Sequence, residues 1–119
     1  MAQLGPAKHT RPERAFRMAL VRARIRHKLH IRWGPHNRWV ADFIVRGAIV
    51  DVHGSHWHGH RSKMRTMSAY WRAKIAANRA RDRRKRRFAK ANGLRYIVIW
   101  DREVSGAIDL ERLMRRGSS

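Results

Sequence analysis

The stretch that decides the fold is Asp42-Phe43-Ile44-Val45-Arg46-Gly47-Ala48-Ile49-Val50-Asp51-Val52-His53-Gly54-Ser55-His56-Trp57-His58-Gly59-His60. Two apolar, β-branched runs, each carrying one aspartate, are joined by Arg46-Gly47. Such runs read as strands. So short a link makes the pair antiparallel, because a parallel crossover needs about a dozen residues. An aspartate inside an apolar run is costly to bury unless something pairs with it. Here the partner is either an arginine or a metal ion, and composition alone leaves both open.

Working outward, Leu29, Ile31 and Trp33 alternate with His30 and Arg32, the period of a strand. Gly34-Pro35-His36-Asn37 is a turn signal. The next strand is expected from Arg38 to Val45 and a third from Ala48 to His53, giving an antiparallel meander. Upstream, Thr10-Arg11-Pro12-Glu13 has the form of a helix start, with Thr10 as N-cap and Glu13 at the capping-box position. That helix is expected to reach about Arg26, with Phe16, Leu20 and Ala23 on one face. Downstream, residues 54–66 read as a His- and Gly-rich loop. Ser68 caps a long helix from Ala69 to Ala91, and Asn92-Gly93 stops it. Leu94 to Trp100 is a buried strand that follows a helix, so a right-handed crossover lays it parallel to the third strand. A short final helix is expected over Ser105–Arg115. The order is α-β-β-β-α-β-α, an α/β fold with a four-stranded mixed sheet flanked by helices. Residues 1–9 read as a flexible basic arm, 10–116 as one domain and 117–119 as a tail.

Charge sets the class of partner. With 29 Lys and Arg against 8 Asp and Glu, the 119-residue chain carries a formal charge of +21. Such a balance opposes compaction and attracts polyanions, nucleic acid first. The hydrophobic fraction of 43% argues for a real core rather than a disordered basic tail. No run of about 18 apolar residues offers a membrane span. With no cysteine in the chain, disulfides and thiolate metal sites are excluded. The first ten residues lack the apolar stretch of a secretory signal. The expected location is the cytoplasm, at the nucleoid, or the host cytoplasm if the chain is phage-encoded.

Hydrolysis of a phosphodiester with magnesium needs hard oxygen ligands held together and a proton donor or acceptor nearby. Asp42 and Asp51, on adjacent strands, can meet at one end of a sheet. His53 leaves on the same face as Asp51, two residues on. Glu13 is either a capping residue or a third carboxylate. His58 can activate water or protonate a leaving oxygen. The cluster of His53, His56, His58 and His60 also reads as a structural transition-metal site. On the long helix, Trp71, Lys74, Ile75, Asn78 and Asp82 share a broad face. Trp71 is either core or a wedge between bases, and Asp82 can pair with Arg86 four residues on. From Arg79 to Lys90, including Arg79, Arg83 and Arg86, the density of cations reads as a phosphate-binding face.

At these residues a resemblance comes into view. Asp42-Phe43, His53-Gly54-x-x-Trp57-His58-x-His60, Trp71-x-x-Lys74-Ile75-x-x-Asn78-x-x-Arg81-Asp82, Gly93-x-Arg95 and Ile97 to Trp100 resemble, in order, the very-short-patch-repair (Vsr) mismatch endonucleases. The match runs from Glu13 to about Glu103. That family belongs to the PD-(D/E)XK nuclease superfamily. The resemblance implies that Asp42 is the central Mg²⁺ ligand, with Mn²⁺ as a substitute, and that the Val52 backbone carbonyl is another. It implies that His53 and His58 are catalytic with support from Glu13, and that Trp57 and Trp71 intercalate at the target pair. Lys74 and Asn78 would face the double-stranded DNA.

Three departures sharpen the comparison. Ser55, Ser62 and Arg102 stand where the mismatch enzymes carry zinc-binding cysteines, so no structural zinc is expected and His60 alone remains of that site. His56 stands in place of an aromatic intercalator. Asp51 stands where the mismatch enzymes are apolar and where PD-(D/E)XK nucleases place a second acidic ligand. Asp51-Val52-His53 thus reads as a (D/E)-X-K triplet with His for Lys, similar to small Vsr-like nucleases of phages and homing endonucleases, as is Arg102-Glu103-Val104. The expectation is a Mg²⁺-dependent DNA endonuclease occupying 10–116. It would have homing, phage-type or mismatch-repair nicking specificity, and would act as a homodimer or beside an auxiliary specificity protein. The rivals are a non-catalytic basic nucleic-acid-binding protein and a histidine–zinc module.

Overall fold

The computed structural model describes residues 10–54 and 68–116. Its elements are α1 (Arg11–Arg22), β1 (His27–Trp33), β2 (Trp39–Val45), β3 (Ala48–His53), α2 (Ala69–Ala91), β4 (Tyr96–Trp100) and α3 (Leu110–Met114). Short 3-10 turns lie at Pro35–Asn37 and Asp101–Val104. The strands are ordered β1-β2-β3-β4, antiparallel across the first two junctions and parallel between β3 and β4. This is the expected α/β architecture, a four-stranded mixed sheet flanked by helices in the restriction-endonuclease-like arrangement. No helix among the described residues is long and apolar enough to cross a membrane.

Local chemistry fixes the ends of these elements. Thr10 and Glu13 form a reciprocal capping box at the start of α1, at 3.2 and 3.3 Å. The helix stops at Arg22, short of the expected Arg26. Arg24 takes a left-handed φ of 57°, and the amides of Arg24 and Ile25 turn back to Val21 and Leu20 in a Schellman motif. The same motif closes α2. Gly93 has φ 68° and the Leu94 amide returns to Ala89 at 2.8 Å, so β4 begins at Tyr96 rather than Leu94. Arg46 and Gly47 both have positive φ, 51° and 81°, as a two-residue hairpin turn of matching twist requires. The final helix starts at Leu110, capped by Asp109, not at Ser105.

Two cores sandwich the sheet. One, under α1 and α3, holds Phe16, Leu20, Phe43, Val45, Val50, Ile97, Ile99 and Leu113. The other, facing α2, holds Trp33, Trp39, Ala41, Ile49, Ala89, Tyr96 and Val98, with Phe88 against it. In a regular strand, residues two apart share a face. Yet Trp39 and Ala41 lie in one core while Phe43 and Val45 lie in the other. The faces exchange at Asp42. On the neighbouring strand the register passes from Leu29↔Phe43 to Ile31↔Ala41 across His30, whose φ is 50°. A distortion of both strands at one level therefore turns Asp42 out of the normal pleat.

The C-terminal segment is tied down by arginines. Arg95 donates to the carbonyls of Met114 and Arg116, and Arg116 donates to the Val98 carbonyl and to the Glu103 carboxylate. The Arg116 hydrogen bonds hold the Glu103 carboxyl below its ordinary range, helped by the Trp100 amide and opposed by partial burial.

Candidate active site

At Asp42 and Asp51 the sheet opens. The β2–β3 ladder runs from Val45↔Ala48 to Phe43↔Val50. One step further, carboxylates take up backbone amides. The Asp42 N–H donates to Asp51 Oδ1 at 3.2 Å, and the Val52 N–H donates to Asp42 Oδ2 at 2.8 Å. Each aspartate thus satisfies an amide near the other. The strands can separate here without leaving buried polar groups unpaired.

Asp51 is almost fully enclosed, with 4% exposure, on the α2 side of the sheet. Its Oδ2 accepts the Tyr96 hydroxyl at 2.8 Å and the Lys85 ammonium at 3.1 Å. Burial and the Asp51 charge drive the Tyr96 hydroxyl far above the ordinary phenol range, so it stays protonated and donates. Tyr96 is itself packed against Trp33, with ring centres 5.4 Å apart, and Arg86 lies 5.7 Å over its ring.

Asp42 is under opposite pressure. Burial first, then the Asp51 and Glu13 charges, push its carboxyl from 3.8 up to about 8, against the Val52 hydrogen bond and the Lys85 charge. Glu13, from α1, therefore acts on this site electrostatically while serving as a cap. His53 is buried against Trp100, ring centres 5.5 Å apart, and its Nδ1 lies 3.7 Å from Asp82 Oδ2. The carboxylate of Asp82 thus meets His53 across from the sheet.

The layout places the other expected residues as follows. Trp71 is half-buried near the start of α2, its ring 5.3 Å from the exposed Tyr70. Lys74 is exposed, with its ammonium 5.8 Å over Tyr70. Asn78 is half-buried and accepts from Arg81 at 3.4 Å. Arg79, Arg83 and Arg86 are exposed. His56, Trp57, His58 and His60 lie outside the described residues, as do Ser55 and Ser62. Sequence reading missed Lys85 and Tyr96. For Lys85 a signal existed, because Trp71, Ile75, Asn78, Asp82, Lys85 and Ala89 recur at alternating spacings of four and three and form the inner face of α2.

The donor set suits a magnesium ion in part. Among the described residues no three His, Cys, Asp or Glu side chains stand close enough to hold a metal. Magnesium does not need an all-protein cage; it keeps waters and takes one or two carboxylates plus substrate phosphate. A carboxyl raised to about 8 by burial first and then by like charges is a group that a divalent cation would relieve. Asp42, with Asp51 Oδ1 and the Val52 carbonyl, fits that need. Asp51 Oδ2 already faces the Lys85 ammonium.

No family model matches the chain. The chain is similar to the type II nicking enzyme V.XorIIP of Xanthomonas oryzae pv. oryzae, with 38% identity over 113 residues, which cover 92% of this chain and 82% of that protein.

Proposed function

This chain belongs to the family of that type II nicking enzyme, and on this premise we propose that it is a DNA endonuclease that hydrolyses phosphodiester bonds in duplex DNA with Mg²⁺, for which Mn²⁺ substitutes. The observation that carries the proposal is the pair of carboxylates at the opened β2–β3 junction, where Asp42 is held protonated up to about pH 8 by burial and by its acidic neighbours. Asp42, Asp51 and the Val52 carbonyl would hold the ion. Bound there, it would supply charge stabilisation at the phosphoryl oxygens and activation of water.

The chain's own residues have separable parts. Asp42 and Asp51 bring carboxyl oxygens to one point of an otherwise cationic protein. Glu13 adds a negative charge from α1. The buried His53, held against Asp82 and Trp100, is the residue for proton handling beside the junction, with His58 as its partner. The exposed arginines Arg79, Arg83 and Arg86 hold the phosphate backbone, which fixes register but reads no sequence. Trp57, Trp71, His56, Lys74 and Asn78 are the residues for the target pair in a Vsr-like reading. Nicking of one strand follows the relative's activity.

The test is incubation with supercoiled plasmid in Mg²⁺ and in EDTA. Conversion to nicked circle in Mg²⁺ alone is expected. Tight binding with no cleavage of matched or mismatched duplex would instead establish the non-catalytic nucleic-acid-binding protein.

A further inference from the structure

The inner face of α2 is apolar at its ends and polar in its middle. Ile75 is buried near one end and Phe88 and Ala89 pack on the sheet at the other, while Asn78, Asp82 and Lys85 lie between them, half-buried. A lysine is seldom placed so, because its ammonium is strongly hydrated and its stem normally carries the charge to water. Arg83, Arg84, Arg86 and Arg87 around it are all exposed. The Lys85 side chain is 12% exposed, and its ammonium ends 3.1 Å from Asp51 Oδ2.

Two donors converge on that one oxygen. The second is the Tyr96 hydroxyl at 2.8 Å, braced by Trp33. The other oxygen, Oδ1, accepts the Asp42 amide at 3.2 Å, on the side where Asp42 lies. His53, two residues beyond Asp51 on β3, is turned to Asp82. The positive charge at the carboxylate pair is delivered from the helix, by Lys85. Holding α2 to the sheet does not call for this. A buried ion pair is a poor stabiliser compared with apolar residues of the same volume, and Phe88 and Ala89 already dock the helix.

We propose that Lys85 and Tyr96 are positioning residues of the nuclease site, clamping Oδ2 of Asp51 so that Oδ1, beside Asp42, is the oxygen presented to a divalent cation and the scissile phosphate. This rests on Asp42 and Asp51 being the metal pair. Lys85 also keeps a fixed positive charge next to that pair. It weakens binding of a second cation there while holding the carboxylate in its working orientation. Removing the charge therefore moves metal affinity and turnover in opposite directions.

The test uses the full chain and the variants Lys85→Met, Lys85→Arg, Tyr96→Phe and Asp42→Asn. Mn²⁺ affinity is read by calorimetry, duplex binding by gel shift in EDTA, and kcat and KM by plasmid nicking in Mg²⁺. For Lys85→Met, kcat is expected to fall about a hundredfold, the scale of a misplacement of about an ångström. KM for DNA should stay within about threefold, since ground-state binding is untouched. Mn²⁺ should bind about tenfold tighter, because a competing charge has left the site. Lys85→Arg keeps the charge and is expected to hold the wild-type Mn²⁺ affinity. Tyr96→Phe removes a donor without a charge, so it slows turnover and leaves Mn²⁺ affinity unchanged. Wild-type kcat in Lys85→Met overturns the clamp. So does a joint fall of its rate, metal affinity and melting temperature, the result a merely structural contact would give. If wild type binds Mn²⁺ but does not nick, the nuclease reading fails while the affinity of Lys85→Met still decides whether Lys85 controls the metal. If Asp42→Asn binds Mn²⁺ as tightly as wild type, the metal pair is wrong and the clamp fails with it.

Discussion

Asp42 carries the site's electrostatic strain, and its titration has a definite sign. Unfolded, its carboxyl titrates at the ordinary 3.8; folded, at about 8. Between those values the folded state holds more protons than the unfolded one. The stability it contributes is therefore complete below pH 4 and is lost as pH rises through 8. In EDTA, the Asp42 contribution to the melting temperature is expected to decline across that window. Asp42→Asn, which keeps an acceptor for the Val52 amide, should flatten that decline and melt higher than wild type at pH 8. Glu103 runs the other way. Its carboxyl is held below 4.5 by Arg116, so its contribution is present above that value and lost as pH falls. Thermal melts of wild type, Asp42→Asn and Glu103→Gln from pH 3 to 9 separate the two, because the windows differ. At the proposed metal site a bound cation would displace the Asp42 proton, so Mg²⁺ affinity should rise with pH up to about 8.

At the scale of elements, turns and register do the positioning. Gly34 has φ 87°, and a Cβ there would sit 2.3 Å from the Trp39 ring. Gly34→Ala is expected to cost about 2 kcal/mol or more, seen as a lower urea midpoint at unchanged slope. Thr10→Ala should cost about 1 kcal/mol through loss of the α1 cap, by the same measurement. The strands and α2 were legible in the sequence because their signals are local: alternation, caps and the Arg46-Gly47 turn. The C-terminal end of α1 and the start of β4 were not, since Schellman closures with Arg24 and Leu94 leave no mark in the periodicity. Nor was the exchange of faces at Asp42, because counting by twos puts Ala41 and Phe43 together. In the candidate site, Asp42 and Asp51 stood out as acids in apolar runs. Lys85 did not, because it sits among cations of the same helix and only its seven-residue spacing from Asn78 sets it apart. The contacts of Asp82 with His53 and of Tyr96 with Asp51 arise only when α2 and β4 close on the sheet.

For the whole molecule, the proposed division is that charge sets affinity and the opened junction sets chemistry. A chain of charge +21 has exposed arginines along α2, so duplex binding in EDTA should fall by about three to five decades between about 50 and 200 mM salt if some 6–10 phosphates are contacted. Gel shifts across a salt series check this, and the slope should be the same for unrelated sequences, because phosphate contacts carry no sequence choice. The central claim is narrower: the Asp42–Asp51 junction is where the phosphodiester is cut. Its most direct test is Mg²⁺-dependent nicking by Asp42→Asn under conditions where its DNA binding and folding are measured in parallel. The account predicts a protein that folds at least as stably as wild type in EDTA and binds duplex equally, yet nicks at least about a hundredfold more slowly. Nicking by Asp42→Asn at the wild-type rate would contradict it.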